Sequence, residues 1–332
     1  MSDVAGRTAP ASIDGLDLAR LDVSDWDVVR IEKAATSVAT WVEEPGTATR
    51  WLHKDTVIPR TGVEQGEDWS EVISSRVGAA MFVPCAETRL CVRSERRGSV
   101  SKNVRPSGHS LYNGYVLLEE CAQVIDYFPH FEGSPGVDPA RPGVKRPGHR
   151  IDNVKKALVD ALPPTTFAGP SELDAFDLFA GYLLFDALVA NRDRHEQNWA
   201  VLIPDLLAEQ VRLAPSYDHA SSLGYNLTDE VRRRELEREG GISRWAGAGT
   251  AWRYEHTGNQ KRAESLVSLA ARAVDECSSA GAAFWRETMN DLDLEPVLAA
   301  VRDSAIPEMS VDASTFACEL LKHNLGRLND VI

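Results

Sequence analysis

The chain has 332 residues, of which 43% are hydrophobic, so it is long enough for two lobes and too apolar for a disordered protein. Its 36 basic and 50 acidic residues give a formal net charge of −14, which opposes broad attraction to a nucleic-acid backbone.

Several absences in the sequence indicate where the protein is located. Its first residues lack the charged and apolar pattern of a signal peptide, and no apolar run approaches the ~20 residues of a membrane span. The five cysteines include no CxxC pair, which favours reduced thiols over a disulfide framework or a zinc site. We therefore expect a cytoplasmic protein that associates with neither membrane nor nucleic acid.

The first third of the chain has mainly the pattern of β-structure. Residues 1–27 are small and polar, then acidic, and predict a flexible N-terminal extension with at most one short docked element. Runs of β-branched and aromatic residues then predict three strands, at 28–31, 37–42 and 49–54. Asp68 is the predicted N-cap of a helix whose apolar positions recur every three to four residues until about Pro84. Residues 86–118 predict further short strands and turns.

The rest of the chain has mainly helical periodicity. A stretch rich in proline and glycine, 128–150, predicts an irregular connection between two lobes. Residues 175–191 are apolar on nearly every side, which predicts a helix inside the larger lobe. Two strands are predicted around a short loop, at 199–203 and 211–213. The charge run Thr228–Gly241 predicts a solvated helix face or a mobile segment. Further helices are predicted at 259–280, 281–302 and 312–330.

A polar loop directly after the buried helix is the most informative segment. It consists of Asn-Arg-Asp-Arg-His-Glu-Gln-Asn over 191–198, and Asp218 stands twenty residues after Asn198. Kinases arrange a catalytic carboxylate and two Mg²⁺ ligands in this order: an Asp, an Asn five positions on, and an Asp just after a later apolar stretch. We expect Asp193 to orient the acceptor hydroxyl and take its proton. Asn198 and Asp218 would hold Mg²⁺, because that ion prefers hard oxygen ligands.

Phosphoryl transfer also needs a cation on the phosphates of the nucleotide. Lys54, near the end of the third predicted strand, is the candidate for this contact, and Glu71 on the following helix is expected to pair with it. Thr36 and Ser37 are candidates for ATP contact or self-phosphorylation, with an ordinary polar hairpin turn as the alternative. Lys54 and Glu71 also have an ordinary alternative as solvated surface charges.

The 191–198 loop has alternatives as well. Its Asn, Asp and His residues are also typical of turn and capping chemistry. His195 begins a run like the HExxH zinc motif, but the second histidine is missing, so one metal ligand is absent. We therefore interpret His195 as a residue that hydrogen-bonds within the loop and supports Asp193 or Asp218.

These motifs resemble those of the HipA-type serine/threonine kinases, a bacterial family whose fold is akin to protein kinases and phosphoinositide kinases. That family carries an Asn-x-Asp-x-His-x-x-Asn loop after a buried helix and then a Tyr-Asp motif, here at 191–198 and 217–222. The residues before Lys54 and those before Glu71 also resemble the family's strand lysine and helix start. The resemblance covers about 30–225 and is most specific in the loop.

The resemblance implies an α+β, bilobal, protein-kinase-like fold. A small, mainly β N-lobe with one key helix would span 28–120, and a larger, mainly α C-lobe would span 121–332. ATP and Mg²⁺ are the implied cofactors. The implied reaction transfers the γ-phosphate of ATP to a Ser or Thr hydroxyl of a protein, this protein itself included. Asp193 would be catalytic, with Asn191, Arg194 and His195 as supporting residues.

Other functions stay open at this point. The acceptor could be a peptide, a small molecule or a lipid, and a nucleotide-binding pseudokinase or scaffold is a further alternative. The glycine-free segment 33–37, where kinases usually have a glycine-rich loop, motivates the pseudokinase hypothesis. An antitoxin or another regulatory partner is also open, although the segment before the strand lysine is shorter than in the HipA-type toxins.

Overall fold

The computed structural model describes residues 18–33, 38–60, 62–131, 134–206, 209–303, 306 and 308–332. Thr36 and Ser37, which the sequence offered as ATP contacts, lie outside these residues. The first part of the predicted N-terminal extension, 1–17, also lies outside them.

A six-stranded sheet dominates the first third of the chain. Its strands are β1 Leu21–Asp22, β2 Asp27–Lys33, β3 Val38–Glu43, β4 Arg50–Asp55, β5 Thr88–Arg93 and β6 Arg96–Lys102. Their order is β1-β5-β6-β4-β3-β2, and every pair is antiparallel except β1 with β5. The three strands predicted at 28–31, 37–42 and 49–54 are thus confirmed as β2, β3 and β4.

Strand β4 directs alternate side chains to the two faces of the sheet. Trp51 and His53 are buried on one face, where the Trp51 ring lies 6.1 Å from that of Trp26. Leu52 and Lys54 belong to the opposite face. The sequence predicted flexibility here, but the structure shows that residues 18–27 are docked on the sheet. Leu21–Asp22 pairs with β5, and Trp26 packs on the sheet.

Helix α1, Glu67–Ala80, follows the sheet strand that carries Lys54. The helix is predicted correctly, but its N-cap is Gly66 instead of Asp68. Asp68 is buried inside the first turn and accepts a hydrogen bond of 2.7 Å from Arg20. The expected cap is wrong because this carboxylate pairs with a cation from the segment before the sheet, a contact that no local pattern reveals.

The remainder of the chain is mainly helical. Its helices are α2 Gly114–Glu120, α3 Ile151–Ala157, α4 Ala175–Val189, α5 Asp229–Glu237, α6 Gly241–Gly247, α7 Leu266–Asp275, α8 Ser279–Asp291, α9 Glu295–Asp303 and α10 Val311–Asn329. Every residue of α4 is buried, as its uniformly apolar sequence predicts. The single helix predicted at 281–302 is two helices, α8 and α9. Within the described residues, no helix combines the length and apolar character needed to cross a membrane.

Helix α4 has well-defined ends that position the loop after it. Asp174 and Asp177 form a reciprocal capping box at its start. Ala190 ends it in the left-handed conformation, with φ of 57°. This left-handed residue turns the chain directly into the 191–198 loop.

A three-stranded sheet combines strands from distant parts of the chain. It has the order β12-β11-β7 and consists of β7 His109–Asn113, β11 Ala200–Pro204 and β12 Arg212–Leu213. The predicted pair around 199–203 and 211–213 is confirmed. Since β7 pairs with β11, a strand from the predicted N-lobe lies beside the strand that follows the 191–198 loop. The lobe boundary between 120 and 121 stays a prediction.

Two further sequence expectations need correction. The stretch 86–118, predicted as short strands and turns, ends in the start of α2 at Gly114, which packs so closely on the Trp199 ring that a Cβ would overlap it. The charge run 228–241 is not simply solvated, because α5 buries Arg232 and Glu235. Arg232 donates to the Gly224 carbonyl at 3.0 Å and so ties α5 to the segment after Asp218.

The irregular stretch 128–150 contains three short strands, two of which pair with each other and one of which pairs with a strand of the later chain. β8 His130–Phe131 pairs with β9 Ser134–Pro135, and β10 Val144–Lys145 pairs with β13 His256–Thr257. Both pairings are antiparallel. The second of them joins the connection to the segment 248–259, which contributes to the site described next.

Candidate active site

Lys54 and Asp218 form an ion pair across the cleft between the sheet and the helical lobe. Lys54 Nζ donates to Asp218 Oδ1 at 2.7 Å, although 164 positions separate the two residues. Burial lowers the pKa of Lys54, but the charges of Asp218, Glu71 and Asp193 outweigh it and the pKa is raised. The three carboxylates that the sequence selected thus act on one ammonium group.

Asp193 lies in the same electrostatic field, on the loop after α4. Its backbone N–H donates to the Asn191 side chain at 3.0 Å. Its carboxylate is contacted by Arg253, whose Nε donates to Oδ1 at 2.6 Å and whose Nη2 pairs with the same oxygen. Arg253 in turn stacks on Trp252, with its guanidinium carbon 3.8 Å from the ring centroid. The sequence did not identify Arg253, and no motif surrounds it.

A buried ion pair fixes the backbone of the loop. Arg194 donates to both oxygens of Asp186 at 2.7 Å, and both side chains are only 2% exposed. Arg194 also donates to the Asn198 carbonyl at 2.6 Å, and Asn191 donates to Asp186 at 2.8 Å. A bidentate pair of this kind fixes orientation as well as charge. Asp186 was missed, yet a carboxylate near the end of a fully apolar helix face, away from the N-terminal cap, is a signal for a buried partner.

Asn198 and His195 close the loop onto itself. Asn198 Nδ2 donates to the Asp193 carbonyl at 2.8 Å, which leaves the amide oxygen as the atom for a cation. His195 Nδ1 accepts from the Gln197 backbone N–H at 3.2 Å. The pKa of His195 is lowered. Burial, together with the charge of Arg253, lowers it by more than the charges of Asp193 and Asp218 raise it. The predicted hydrogen bonding of His195 within the loop agrees with this arrangement.

Glu71 has a different partner from the one predicted. Its Oε2 accepts from the His219 backbone N–H at 2.6 Å, and its Oε1 lies 3.4 Å from His219 Nδ1. His219 Nε2 lies 2.8 Å from Ser216 Oγ, which accepts from Arg194 at 2.9 Å. The predicted Lys54–Glu71 pair is therefore wrong as a direct contact, because Lys54 reaches Asp218 while Glu71 holds the residue after it.

A cavity of about 710 Å³ lies against the strand β4 that carries Lys54, although Lys54 itself does not line it. On the sheet side it is lined by Val29, Arg30, Trp41 and Arg50, and on the other side by residues of 103–113. Arg50 and Lys54 are four positions apart on the same face of β4, which corresponds to roughly 13 Å along the strand. This separation suits a ligand with a flat group at one end and phosphates at the other.

The residues at Lys54 also fit a divalent cation. Burial raises the pKa of Asp218, but Lys54 lowers it further and the net pKa is lowered, so the carboxylate is ionised at neutral pH. Among the described residues no group of three or more His, Cys, Asp and Glu forms a metal site. Mg²⁺ commonly uses one or two protein ligands together with substrate phosphates, and Asp218 with Asn198 has that character.

Comparison with known proteins bears on the fold. No protein-family model and no curated protein matches the chain. Among solved structures, the Helicobacter pylori proinflammatory kinase CtkA has a TM-score of 0.65 at 14% identity, over 94% of this chain and 97% of that one. HipA of Shewanella oneidensis, solved with HipB and operator DNA, has a TM-score of 0.48 at 11% identity, over 92% and 69% of the two chains. The Mycobacterium tuberculosis PknI kinase domain has a TM-score of 0.33 at 12% identity, over 90% of this chain and 95% of that one.

At 14% identity and a TM-score of 0.65, the similarity to CtkA concerns the fold alone. The chain has the fold of a solved kinase over nearly its whole length. The predicted α+β, bilobal, kinase-like fold is therefore confirmed. The resemblance to HipA-type kinases in particular is a matter of the sequence motifs at 191–198 and 217–222.

Proposed function

We propose that the protein is an ATP-dependent kinase that transfers the γ-phosphate to a Ser or Thr hydroxyl of a protein. The observation that carries this proposal is the Lys54–Asp218 ion pair, with Asp193 and Asn198 on the neighbouring loop. A cation for phosphates, two oxygen ligands for a metal and a carboxylate for the acceptor are the groups that phosphoryl transfer requires.

In this proposal the nucleotide base enters the 710 Å³ cavity beside Trp41, and the phosphates reach Lys54. Lys54 exchanges part of its contact with Asp218 for phosphate oxygens. Asp218 and Asn198 would hold Mg²⁺, which when bound neutralises charge on the phosphates. Arg194 and Asp186 hold the loop in place throughout, so Asp193 needs no reorganisation to meet the acceptor.

Asp193 would accept a hydrogen bond from the acceptor hydroxyl and orient its oxygen toward the phosphate. Arg253 Nε and Nη2 both contact Oδ1 of Asp193, so Oδ2 remains available to the acceptor hydroxyl. A protein substrate is favoured because Asp193 lines a further cavity of about 350 Å³ that shares no lining residue with the 710 Å³ cavity.

The test is incubation of the purified chain with γ-labelled ATP and Mg²⁺, followed by mapping of phosphate by mass spectrometry. Asp193→Asn keeps the size of the side chain but removes the acceptor for the proton, so we expect transfer to fall by about 10³-fold or more. Binding of ATP should change by less than about threefold. ATP binding without transfer by the unmodified chain would contradict the proposal and favour the pseudokinase hypothesis.

A further inference from the structure

Two cavities continue from Asp193 along the helical lobe. The first, of about 350 Å³, is lined by Arg192, Asp193 and Arg253 together with aromatic rings that include Trp245. The second, also of about 350 Å³, lies over the β10–β13 pair and is lined by Lys145 and Arg146. Trp252 and Gln260 line both cavities. The two are thus neighbouring parts of one surface feature, which we call the basic groove.

The charge of the basic groove is opposite to that of the protein. Among the described residues that line it, Asp193 is the only carboxylate, against Arg192, Arg253, Lys145 and Arg146. The whole chain, by contrast, has 50 acidic and 36 basic residues. The average composition of an acidic protein does not explain a cluster of four basic side chains. Such a cluster attracts anionic groups.

Two of these cations lack an internal counter-ion in the part of the chain that the structure describes. Arg253 pairs with Asp193, and Arg146 has Glu196 at 3.9 Å. Arg192 and Lys145 have no described carboxylate within ion-pair distance, and the polar contact of Arg192 is Thr250 at 3.4 Å. Burial alone lowers the pKa of Arg192, with no carboxylate to oppose it. Both cations are therefore available to a ligand.

The walls of the groove are held in position by buried contacts. His149 is fully buried, stacks on Tyr254 with ring centroids 4.4 Å apart, and lies 2.8 Å from the Arg253 carbonyl through Nδ1. Lys145 stands opposite His256 in the register of β10 with β13. Trp252 packs against both Arg253 and Arg146, at 3.8 and 5.6 Å from its ring centroid. Cations fixed in this way lose little conformational freedom when a ligand binds.

We infer that the basic groove binds the acceptor as an extended peptide segment that carries acidic side chains next to its Ser or Thr. Arg192, adjacent to Asp193, would contact a carboxylate close to the acceptor hydroxyl, and Lys145 one farther along the segment. The inference rests on the proposed kinase function, because it takes Asp193 as the point where the hydroxyl binds. A peptide is favoured over nucleic acid because the net charge of −14 repels a long polyanion.

The experiment measures direct binding by fluorescence anisotropy with the full chain. The probes are labelled peptides that have one central serine flanked by glutamates, by glutamines or by lysines. We compare the unmodified chain with Arg192→Gln, Lys145→Gln and the double variant, each checked for unchanged thermal unfolding. Lys322→Gln on α10 is the matched control, since Lys322 is an exposed cation that pairs only locally, with Glu319 at 3.0 Å.

We expect the glutamate peptide to bind about tenfold more tightly than the glutamine peptide, with the lysine peptide weakest. Each groove variant should reduce this preference by about threefold to tenfold, the double variant should abolish it, and Lys322→Gln should leave it unchanged. Equal binding of the glutamate and glutamine peptides would overturn the inference. A preference that survives the double variant would overturn it too.

Two further measurements separate this inference from the kinase proposal. An RNA oligonucleotide of matched length that displaces the glutamate peptide and binds more tightly would assign the groove to phosphate backbones and overturn the peptide inference. ATP binding and phosphate transfer are measured on the same samples. Failure of transfer with intact glutamate preference would contradict the kinase proposal alone, whereas transfer without that preference would contradict the groove inference alone.

Discussion

The carboxylate of Asp218 lies where burial disfavours its charge, and Lys54 supplies the compensating charge. Burial raises the pKa of Asp218, while the charge and hydrogen bond of Lys54 lower it, and the net pKa is lowered. Asp218 also adopts a left-handed backbone conformation, with φ of 61°, which Asp tolerates better than most residues. Charge and backbone together orient this carboxylate toward the cleft.

Replacing Lys54 by Met should change the pH dependence of stability. In the unmodified chain the lowered pKa of Asp218 stabilises the fold above the unfolded pKa of about 3.9, and this contribution is lost as pH falls through the folded pKa. In Lys54→Met burial acts without the lysine, so the pKa of Asp218 rises above its unfolded value. The free energy of unfolding of Lys54→Met should be lower than that of the unmodified chain by roughly 1 kcal/mol at pH 7. This difference should shrink as the pH falls toward 4, because Asp218 of the variant becomes protonated.

Thermal unfolding from pH 7 to pH 4, measured by differential scanning fluorimetry, checks this expectation. Lys322→Met controls for loss of a surface lysine. A difference in Tm between Lys54→Met and the unmodified chain that stays constant over this range would show that Asp218 does not depend on Lys54 for its charge.

The Asp186–Arg194 pair makes a second prediction about single residues. Both side chains are buried, so Asp186→Ala would leave the Arg194 guanidinium without its counter-ion. We expect a loss of roughly 3–5 kcal/mol in the free energy of unfolding. Glu319→Ala, which removes an exposed pair, should cost less than about 1 kcal/mol. Urea denaturation measures both, and similar losses for the two variants would contradict the structural role of the buried pair.

Among the elements, helix α4 determines where the 191–198 loop begins. Its neighbours approach closely because it has a glycine at the contact with α8: Trp285 packs against Gly181 and donates to the Asp177 carbonyl at 2.6 Å. A Cβ at Gly181 would overlap the Trp285 ring. The glycine in this helix therefore serves packing, at a cost in helix propensity.

Two glycine substitutions in helices should have opposite effects. Gly181→Ala should destabilise by roughly 1–3 kcal/mol, because the overlap with Trp285 exceeds the gain in helix propensity. Gly326→Ala in α10, where nothing lies within 4 Å of the added Cβ, should stabilise by roughly 0.5–1 kcal/mol. Chemical denaturation of both variants measures this contrast. Stabilisation by both would mean that α8 does not pack on α4 as described.

At the scale of the whole molecule, a few polar contacts connect the sheet with the helical lobe. Lys54 reaches Asp218, Glu71 holds His219, and the Gly66 backbone N–H donates to the Tyr225 carbonyl at 3.0 Å. All three contacts end on the short segment 218–225. A ligand that binds between the lobes would therefore act on the stability of both.

Binding of MgATP should raise the Tm of the chain. At a concentration of 100 times Kd the stabilisation is about 2.7 kcal/mol, which corresponds to roughly 5 °C. Asp193→Asn should keep this shift, since Asp193 addresses the acceptor, and Lys54→Met should lose most of it. Thermal scans with and without MgATP check the expectation. An equal shift in Lys54→Met and the unmodified chain would remove Lys54 from the phosphate site.

The sequence by itself determined those parts that depend on residues close together in the chain. The strands β2 to β4, the buried helix α4 and the loop 191–198 follow from periodicity and from the spacing of side chains within one segment. The loop motif also indicated Asn191, Arg194 and His195 as supports, and their hydrogen bonds lie within or next to the loop. These features need little knowledge of the remaining chain.

Only the tertiary structure decided which distant groups meet. Arg253 donates to Asp193 although 60 positions separate them. The backbone N–H of His219 donates to Glu71 across 148 positions, so Glu71 is not the direct partner of Lys54. The basic groove likewise combines Arg192 with Lys145, which belong to different segments. Such contacts depend on how the whole chain packs, because a side chain pairs with whichever opposite charge packing brings within reach, and local sequence patterns contain no information about that distance.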